Sequence, residues 1–588
     1  MSETAPIENN QPSMQWRLRL LLMIWLLFLL VTILVGSPLG GDWRFSQVHR
    51  EVVSYETQGE WRFSPVSEEL DGYERILHFP PHNFPGYPFI ALDAVRSLIN
   101  PILHMTRWAF LVANAFFLFL LIGATYFSAS QLGDETDGLV AALLISTIPF
   151  VMSNARVYDV HMPRLAAVAL TLAALQHLAI KPKITNAVVL VSAFLLGAVF
   201  CSSSTDFIFY GLALAGPLAI VFLAGVWRQG NRWLFAVTGL VLLILIGILS
   251  PIWFCSAPFP GWVTGNERVF NDLGSVFADP RSVFQQPEAL LAYLYVLVKA
   301  MLSFPLNLVF LVGFVVFCWR KDPKKWLWLV GVLAFFIAIV LLPKRNKYYV
   351  ASLLPALTVA AAVGLGFALR RWRSWALPML CALLVLLHVA YATLLIEPGK
   401  INSNWEHFFV PGNMQYPIFR DTLGLEPFGT RVLNEDEGAM RLVGVMADKP
   451  LPLAIGFFGV PCQQERTVIE LVYRGVYARD LLCSPPVDSS AIALDAIVLM
   501  PNLIQVPGIA EAQSARDALA RLQAAIDKDA SLVTAFLISD PNKNEQAVEP
   551  LLRLLEKSIQ QHGELLSQYC HREKRGNYLI FWKSPSQF

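Results

Sequence analysis

Charge is what this 588-residue chain has least of: Asp, Glu, Lys and Arg make up 15% of it, while 55% is hydrophobic and the mean hydropathy is +0.51. A soluble globular protein carries roughly 25% charged residues, so most of this chain belongs in lipid. Base is not in excess either. Its 45 Lys and Arg against 44 Asp and Glu leave a net charge of +1, which offers no electrostatic footing for a nucleic-acid partner. Cysteine is sparse at seven residues, and no spacing among them suits a zinc site. Internal repeats and low-complexity tracts are absent. The first apolar run, 16–35, lacks a small-residue cleavage site and is too long for a signal-peptide core, so it reads as a retained first helix.

What is present in quantity is apolar sequence in blocks near twenty residues. They predict a mainly α, polytopic membrane helix bundle of about eleven spans. After 16–35 come 108–128, 139–152, 165–180, 187–202, 207–226, 234–254, one within 290–319, then 327–342, 348–369 and 376–395. The stretch 290–319 contains Lys299 and Pro305, so its first half reads as an interfacial helix and its second half as the span.

Bases concentrate in alternate connections, at Arg17 and Arg19, Lys181 and Lys183, Arg228 and Arg232, Arg320 to Lys325, and Arg370 to Arg373. These are expected to be cytoplasmic. One connection of that set dissents, carrying Asp134, Glu135 and Asp137 and no base. The remaining connections then face outward: 36–107, a short turn around Asp159, 255–287, and 344–347. This assigns 1–396 to a membrane domain and 397–588 to a soluble domain on the outer face, with the protein multi-pass in an inner (plasma) membrane and its C-terminal domain periplasmic.

From 397 onward charge returns, and two amphipathic patterns predict helices, one through Ala515, Leu519, Leu522 and Ile526, the other through Val548, Leu551, Leu552, Leu555 and Ile559. Stretches 491–500, 532–538 and 578–582 read as strands, so the C-terminal soluble domain is expected to be α/β. An oxidising compartment permits one disulfide among Cys462, Cys483 and Cys570, with Cys462–Cys483 the expected pair and free buried thiols the alternative.

Ionisable residues at the outer ends of spans are the first candidates for function, because a bilayer tolerates them at a cost. Three outward places qualify. The loop after the first span opens with Asp42, Trp43, Arg44 and Phe45, continues through His49, Arg50 and Glu51, and reads as an amphipathic surface helix. Asp42 is there either a helix cap or a catalytic acid. The same loop ends in His78, Phe79, Pro80, Pro81 and His82; the two prolines prevent the helix that would turn histidines four apart onto one metal, so no metal is assigned and His82 is kept as a substrate-binding candidate. The second place is the turn with Arg156, Asp159, His161 and Pro163, where Asp159 caps the next helix or serves the chemistry. The third carries Lys344, Arg345 and Lys347, followed by Tyr348 and Tyr349. Three bases on an outward side suit a phosphate, either a specific one or the headgroups of anionic lipids.

The order and spacing of these segments resemble the GT-C glycosyltransferases, nearest to the protein O-mannosyltransferases and the aminoarabinose transferases that modify lipid A. Asp42, Arg44, Phe45, Glu51, Gly59, Trp61, Pro80 and Pro81 follow that group's first outward loop. Arg156, Asp159 and Pro163 match its second outward turn, and Lys344, Arg345, Tyr348 and Pro355 its later basic segment. The resemblance runs over roughly residues 16–370. It implies a polyprenyl-phosphate sugar donor, an outward-facing site, and an acceptor that is protein, lipid or glycan.

The expectation is therefore transfer of one sugar, hexosyl or pentosyl, to an outer acceptor. Asp42 and Asp159 are the catalytic candidates. Arg44, Glu51, His82, Arg156, Lys344, Arg345, Lys347, Tyr348 and Tyr349 are the substrate-binding ones, with membrane lipids as surroundings. No cofactor is required by this reading, and a divalent cation is left open. The alternative is a transporter or flippase of a lipid-linked sugar, which would use the same basic patch without breaking a bond.

Overall fold

The computed structural model describes residues 14–34, parts of 91–99, 107–155, 161–201, a few positions between 210 and 225, then 231–255, 288–321, 324–341, 347–371, 375–396 except 394, 453–458, 476–480, 495–499, 506–528, 566–575 and 578–583. The helices among them are α1 (Met14–Leu34), α2 (Arg107–Leu132), α3 (Glu135–Thr147), α4 (Pro149–Asn154), α5 (His161–Ile180), α6 (Ile184–Phe200), α7 (Arg232–Cys255), α8 (Glu288–Tyr295), α9 (Leu306–Trp319), α10 (Lys324–Leu341), α11 (Leu354–Arg371), α12 (Ala376–Ala392) and α13 (Ala515–Lys528). Among the described residues four stretches, Val112–Leu132, His161–Ile180, Arg232–Leu249 and Tyr349–Arg371, are long and apolar enough to cross a membrane, and shorter apolar helices accompany them.

Prolines explain where the helices depart from the expected spans. The expected span 139–152 is interrupted at Ile148, whose extended backbone (φ −62°, ψ 121°) precedes Pro149 at the start of α4. A residue before proline is pushed out of the helical region, and proline suits a helix first turn. The expected span 348–369 likewise opens as a 3-10 helix, Lys347–Leu353, before Pro355 enters the first turn of α11. Helix α5 begins at His161 instead of 165, because Pro163 needs no hydrogen-bond partner in a first turn. In the stretch 290–319, α8 runs into a π-helical turn, Val296–Met301, closed by the Leu302 N–H donating to the Leu297 carbonyl at 3.0 Å. The expected span 207–226 lies largely outside the described residues.

The bundle core is built from α2, α3, α5, α9 and α11, with α1 and α12 against α3. Side chains tie the periphery in. The Trp25 indole donates to the Ala115 carbonyl at 2.8 Å, Phe28 meets the His388 ring edge-on at 3.9 Å, and His388 Nδ1 lies 3.2 Å from the Ser146 carbonyl. Buried polar groups bond helix backbones, as where Gln176 donates to the Ser128 carbonyl at 2.8 Å and the Tyr210 hydroxyl to the Phe194 carbonyl at 3.0 Å.

Helices α9 and α11 approach most closely, and small residues make the approach possible. A Cβ at Gly364 would fall on the Gly313 carbonyl oxygen, and one at Gly313 on the Ala361 carbonyl oxygen. Helix association in lipid relies on such close backbone packing. Gly364→Val is accordingly expected to cost about 1–3 kcal/mol from overpacking and to lower the melting temperature in detergent. Gly123→Ala in α2, where nothing lies within 4 Å of the added atom, should leave it nearly unchanged. Equal melting temperatures for both variants would contradict the account.

One end of the bundle gathers the charges. Arg370 at the end of α11 reaches Asp134 at 2.6 Å and Asp137 at 2.8 Å. Gln131 donates to His177 Nδ1 at 2.6 Å, which sets the ends of α2 and α5 side by side, and Arg371 lies over the Phe367 ring, 4.7 Å from its centroid. The acid-only connection therefore takes its base from the last turn of α11.

Toward the C-terminus, β1 (Leu453–Phe458), β2 (Val476–Asp480), β3 (Ala496–Leu499), β4 (Tyr569–Arg575) and β5 (Tyr578–Lys583) form one mixed sheet in the order β2-β1-β3-β5-β4. The pairs β1/β2 and β1/β3 are parallel, and β3/β5 and β4/β5 antiparallel. The expected strands at 491–500 and 578–582 are thus found as β3 and β5, the first shortened to four residues. Helix α13 matches the first amphipathic pattern, its Asp517 N–H donating to the Ser514 hydroxyl at 3.1 Å. Arg521, 2.8 Å from Asp517, holds that carboxyl below its ordinary range through their hydrogen bond. The expected strand 532–538, the expected helix through Val548 and Ile559, and the pair Cys462 and Cys483 lie outside the described residues.

Candidate functional site

Four described elements converge at the end of the bundle opposite the charge cluster. Helices α4 and α5, the π turn Val296–Met301 and the 3-10 helix Lys347–Leu353 pack on one another. Of the segments singled out in the sequence, the described parts are α5 from His161 and the 3-10 helix from Lys347, and these two elements are neighbours. Tyr391, near the end of α12, marks the same level, its hydroxyl accepting from the Leu306 N–H at 3.3 Å.

Side chains at this junction are more polar than a bundle end needs for packing. Asn154 is buried and donates to the Phe150 carbonyl at 2.7 Å. Arg164, only 2% exposed, donates through Nη2 to His161 Nδ1 at 2.9 Å. A guanidinium can only donate, so in that contact His161 accepts through the ring nitrogen facing it. Its ring also lies 5.8 Å from that of Phe150. This buried Arg and His pair was not assigned from the sequence. The available signal was a base one turn inside an apolar helix, a position a bilayer protein fills at a cost.

Lys347 and Tyr348 open the 3-10 helix, and the sequence places Lys344 and Arg345 just before it. Tyr349 is 4% exposed, within the bundle core. Tyrosines beside bases are expected at headgroup level, and Tyr349 is instead packed within the bundle. Asp42, Arg44, Glu51, His82, Arg156, Asp159, Lys344 and Arg345 lie outside the described residues. Among the described residues no group of three or more His, Cys, Asp or Glu is placed to hold a metal ion.

No protein-family model and no curated protein matches the sequence. The chain is similar in structure to the ArnT of Cupriavidus metallidurans bound to undecaprenyl phosphate, at 13% identity over 84% of this chain and 94% of that one, with a TM-score of 0.49. It is also similar to the Archaeoglobus fulgidus oligosaccharyltransferase in complex with Zn and sulfate, at 14% identity over 92% of this chain and 70% of that one, TM-score 0.46. A third similar structure is the AglB oligosaccharyltransferase of the same archaeon with an inhibitory peptide and a dolichol-phosphate, at 13% identity over 83% and 70% of the two chains, TM-score 0.37. Likenesses this distant carry no argument about chemistry.

Proposed function

We propose that this protein is a GT-C membrane glycosyltransferase that moves one monosaccharide from a polyprenyl-phosphate donor to an acceptor on the outer side of the membrane. The observation that supports it most is the packing of the Lys347–Leu353 helix and helix α5 on one another. These elements begin at Lys347 and at His161, two residues after Asp159 in the chain, so their packing supports a common place for the basic segment and the acidic turn of the GT-C resemblance. In this reading an acceptor hydroxyl oxygen attacks the anomeric carbon while the bond from that carbon to the phosphate oxygen breaks. Asp42 takes the hydroxyl proton, Asp159 orients the acceptor, and the polyprenyl phosphate leaves with the electron pair, its charge met by Lys344, Arg345 and Lys347. Arg44, Glu51, His82, Arg156 and Tyr348 serve as sugar or phosphate contacts.

The flippase reading keeps one observation in its favour. Two helical segments are interrupted, at Ile148 and between Met301 and Leu306, and transporters build sites from broken helices. Purified protein in detergent micelles separates the two readings, because a micelle has no second compartment to flip into. Mass spectrometry should show a donor, with undecaprenyl and dolichyl phosphate sugars tried first, consumed to free polyprenyl phosphate and glycosylated acceptor. In cells lacking the protein the same donor should accumulate and clear on restoring it. Accumulation in cells with no turnover of that donor in micelles would favour the flippase.

A further inference from the structure

The geometry points to Lys299 as a phosphate-gripping residue at a lateral entry for a long-chain polyprenyl phosphate, with the exposed stripe of α8 and the π turn holding the lipid's chain. The inference rests on the donor class proposed above and adds a residue that none of the three outward segments contains. Burial along 291–301 is sharply two-sided. Ala292, Tyr293, Val296, Leu297, Ala300 and Met301 are buried, whereas Leu291, Leu294 and Val298 stand 53%, 41% and 45% exposed on the other side. This segment lays one face on the protein and leaves an apolar stripe to the bilayer, as an interfacial helix does. Lys299 interrupts that stripe with a charge and is itself exposed.

Three features make Lys299 more than a solvated surface base. Its Nζ donates to the Tyr295 hydroxyl at 2.9 Å and lies 5.1 Å from that ring's centroid, which fixes the ammonium and leaves two of its three donors for an anion. Among the described residues no carboxylate pairs with it. The turn that carries it packs against both the 3-10 helix begun by Lys347 and the end of α4, so it borders the candidate site. π turns inserted in helices are frequent at functional positions, and here the wider turn seats the lysine at that border. A ligand with one phosphate at the end of a long apolar chain matches a cation at the end of an apolar stripe. A free sugar phosphate would leave the stripe unused.

The full-length protein in detergent would be titrated with sugar-free polyprenyl phosphate, the matching polyprenol and phosphatidylglycerol, using native mass spectrometry. Lys299→Ala is expected to weaken polyprenyl phosphate binding by about tenfold or more, the scale of a lost charge-assisted hydrogen bond, and Lys299→Arg to restore most of it. Polyprenol should bind both forms alike, which shows that the alanine variant is folded. Unchanged polyprenyl phosphate binding by Lys299→Ala would overturn the inference. So would phosphatidylglycerol binding as tightly as polyprenyl phosphate and losing as much in the variant, since the site would then be one for general anionic lipid. Transfer assayed in parallel keeps the two proposals apart: wild-type turnover with an unaffected Lys299→Ala defeats this inference alone, and no wild-type turnover defeats the glycosyltransferase reading alone.

Discussion

Arg370→Met is expected to destabilise the bundle by about 3 kcal/mol, the lower end of the cost of stripping a buried ion of its partner. The Asp137 side chain is fully buried while that of Arg370 is 36% exposed, so removing the guanidinium strands a carboxylate that water cannot reach, and the partial exposure of Arg370 keeps the loss from being larger. The cluster is tightly specified. Asp134 and Asp137 form a capping box at the start of α3, each accepting from the other's backbone N–H at 3.1 Å, and Arg370 then bonds both. A Cβ at Gly133 or Gly366 would strike the Asp137 carboxyl, so the chain leaves room for that group from two sides. Asp134→Asn should cost about 1 kcal/mol or less, because the asparagine still caps and the pair it breaks is exposed. Thermal unfolding in detergent would measure both. Adding Asp137→Asn to Arg370→Met removes the stranded charge and should recover more than half of the loss. No recovery would mean that the cost of Arg370→Met comes from lost packing of its side chain.

This cluster also marks the boundary of what could be read from the chain. Asp134, Glu135 and Asp137 contradicted the positive-inside pattern locally, and their partner lies 233 residues beyond Asp137, at a distance no periodicity reports. The apolar helices were legible because about twenty residues of low charge have few other fates. Their starts were less so. Pro149, Pro163 and Pro355 moved the boundaries, and a proline in an apolar run is equally compatible with a first turn and with a break until the neighbouring helices are in place. In the sheet, β3 and β5 were found as apolar runs, but three strands escaped notice: β1 (LAIGFF), an apolar run in its own right, and the two edges β2 (VYARD) and β4 (YCHREKR). An edge strand paired on one side only needs no apolar face, and its charges guard against further pairing. At the candidate site, the segments were visible as charge out of place, whereas the π turn beneath Lys299 depends on how helices meet, and the contact of Arg164 with His161, three residues apart, needed α5 to start at His161 and not at 165. Tyr349 shows the converse, an aromatic residue adjacent to bases that reads as interfacial and is core.

The largest functional effect expected is from Asp42→Asn and Asp159→Asn, each lowering the transfer rate by about 10²–10⁴-fold, the range a positioned acid or base contributes. The choice of asparagine decides between the two readings that the sequence allows for both residues. Asparagine caps a helix about as well as aspartate, so if either residue only caps, its variant should keep both stability and rate. If either removes or orients a proton, the asparagine variant keeps the fold and loses the rate, because an amide is isosteric with a carboxylate and cannot accept the proton. Melting temperature and single-turnover transfer on the same preparation supply both axes. Binding of sugar-free polyprenyl phosphate supplies a third, and it should be unchanged in both variants, since the bases at 344–347 and Lys299 carry that contact. A variant with wild-type melting, wild-type lipid binding and full transfer would remove that aspartate from the mechanism. If that held for both, the acid would have to be sought elsewhere, with Glu51 and Glu60 among the next carboxylates of the first outward segment.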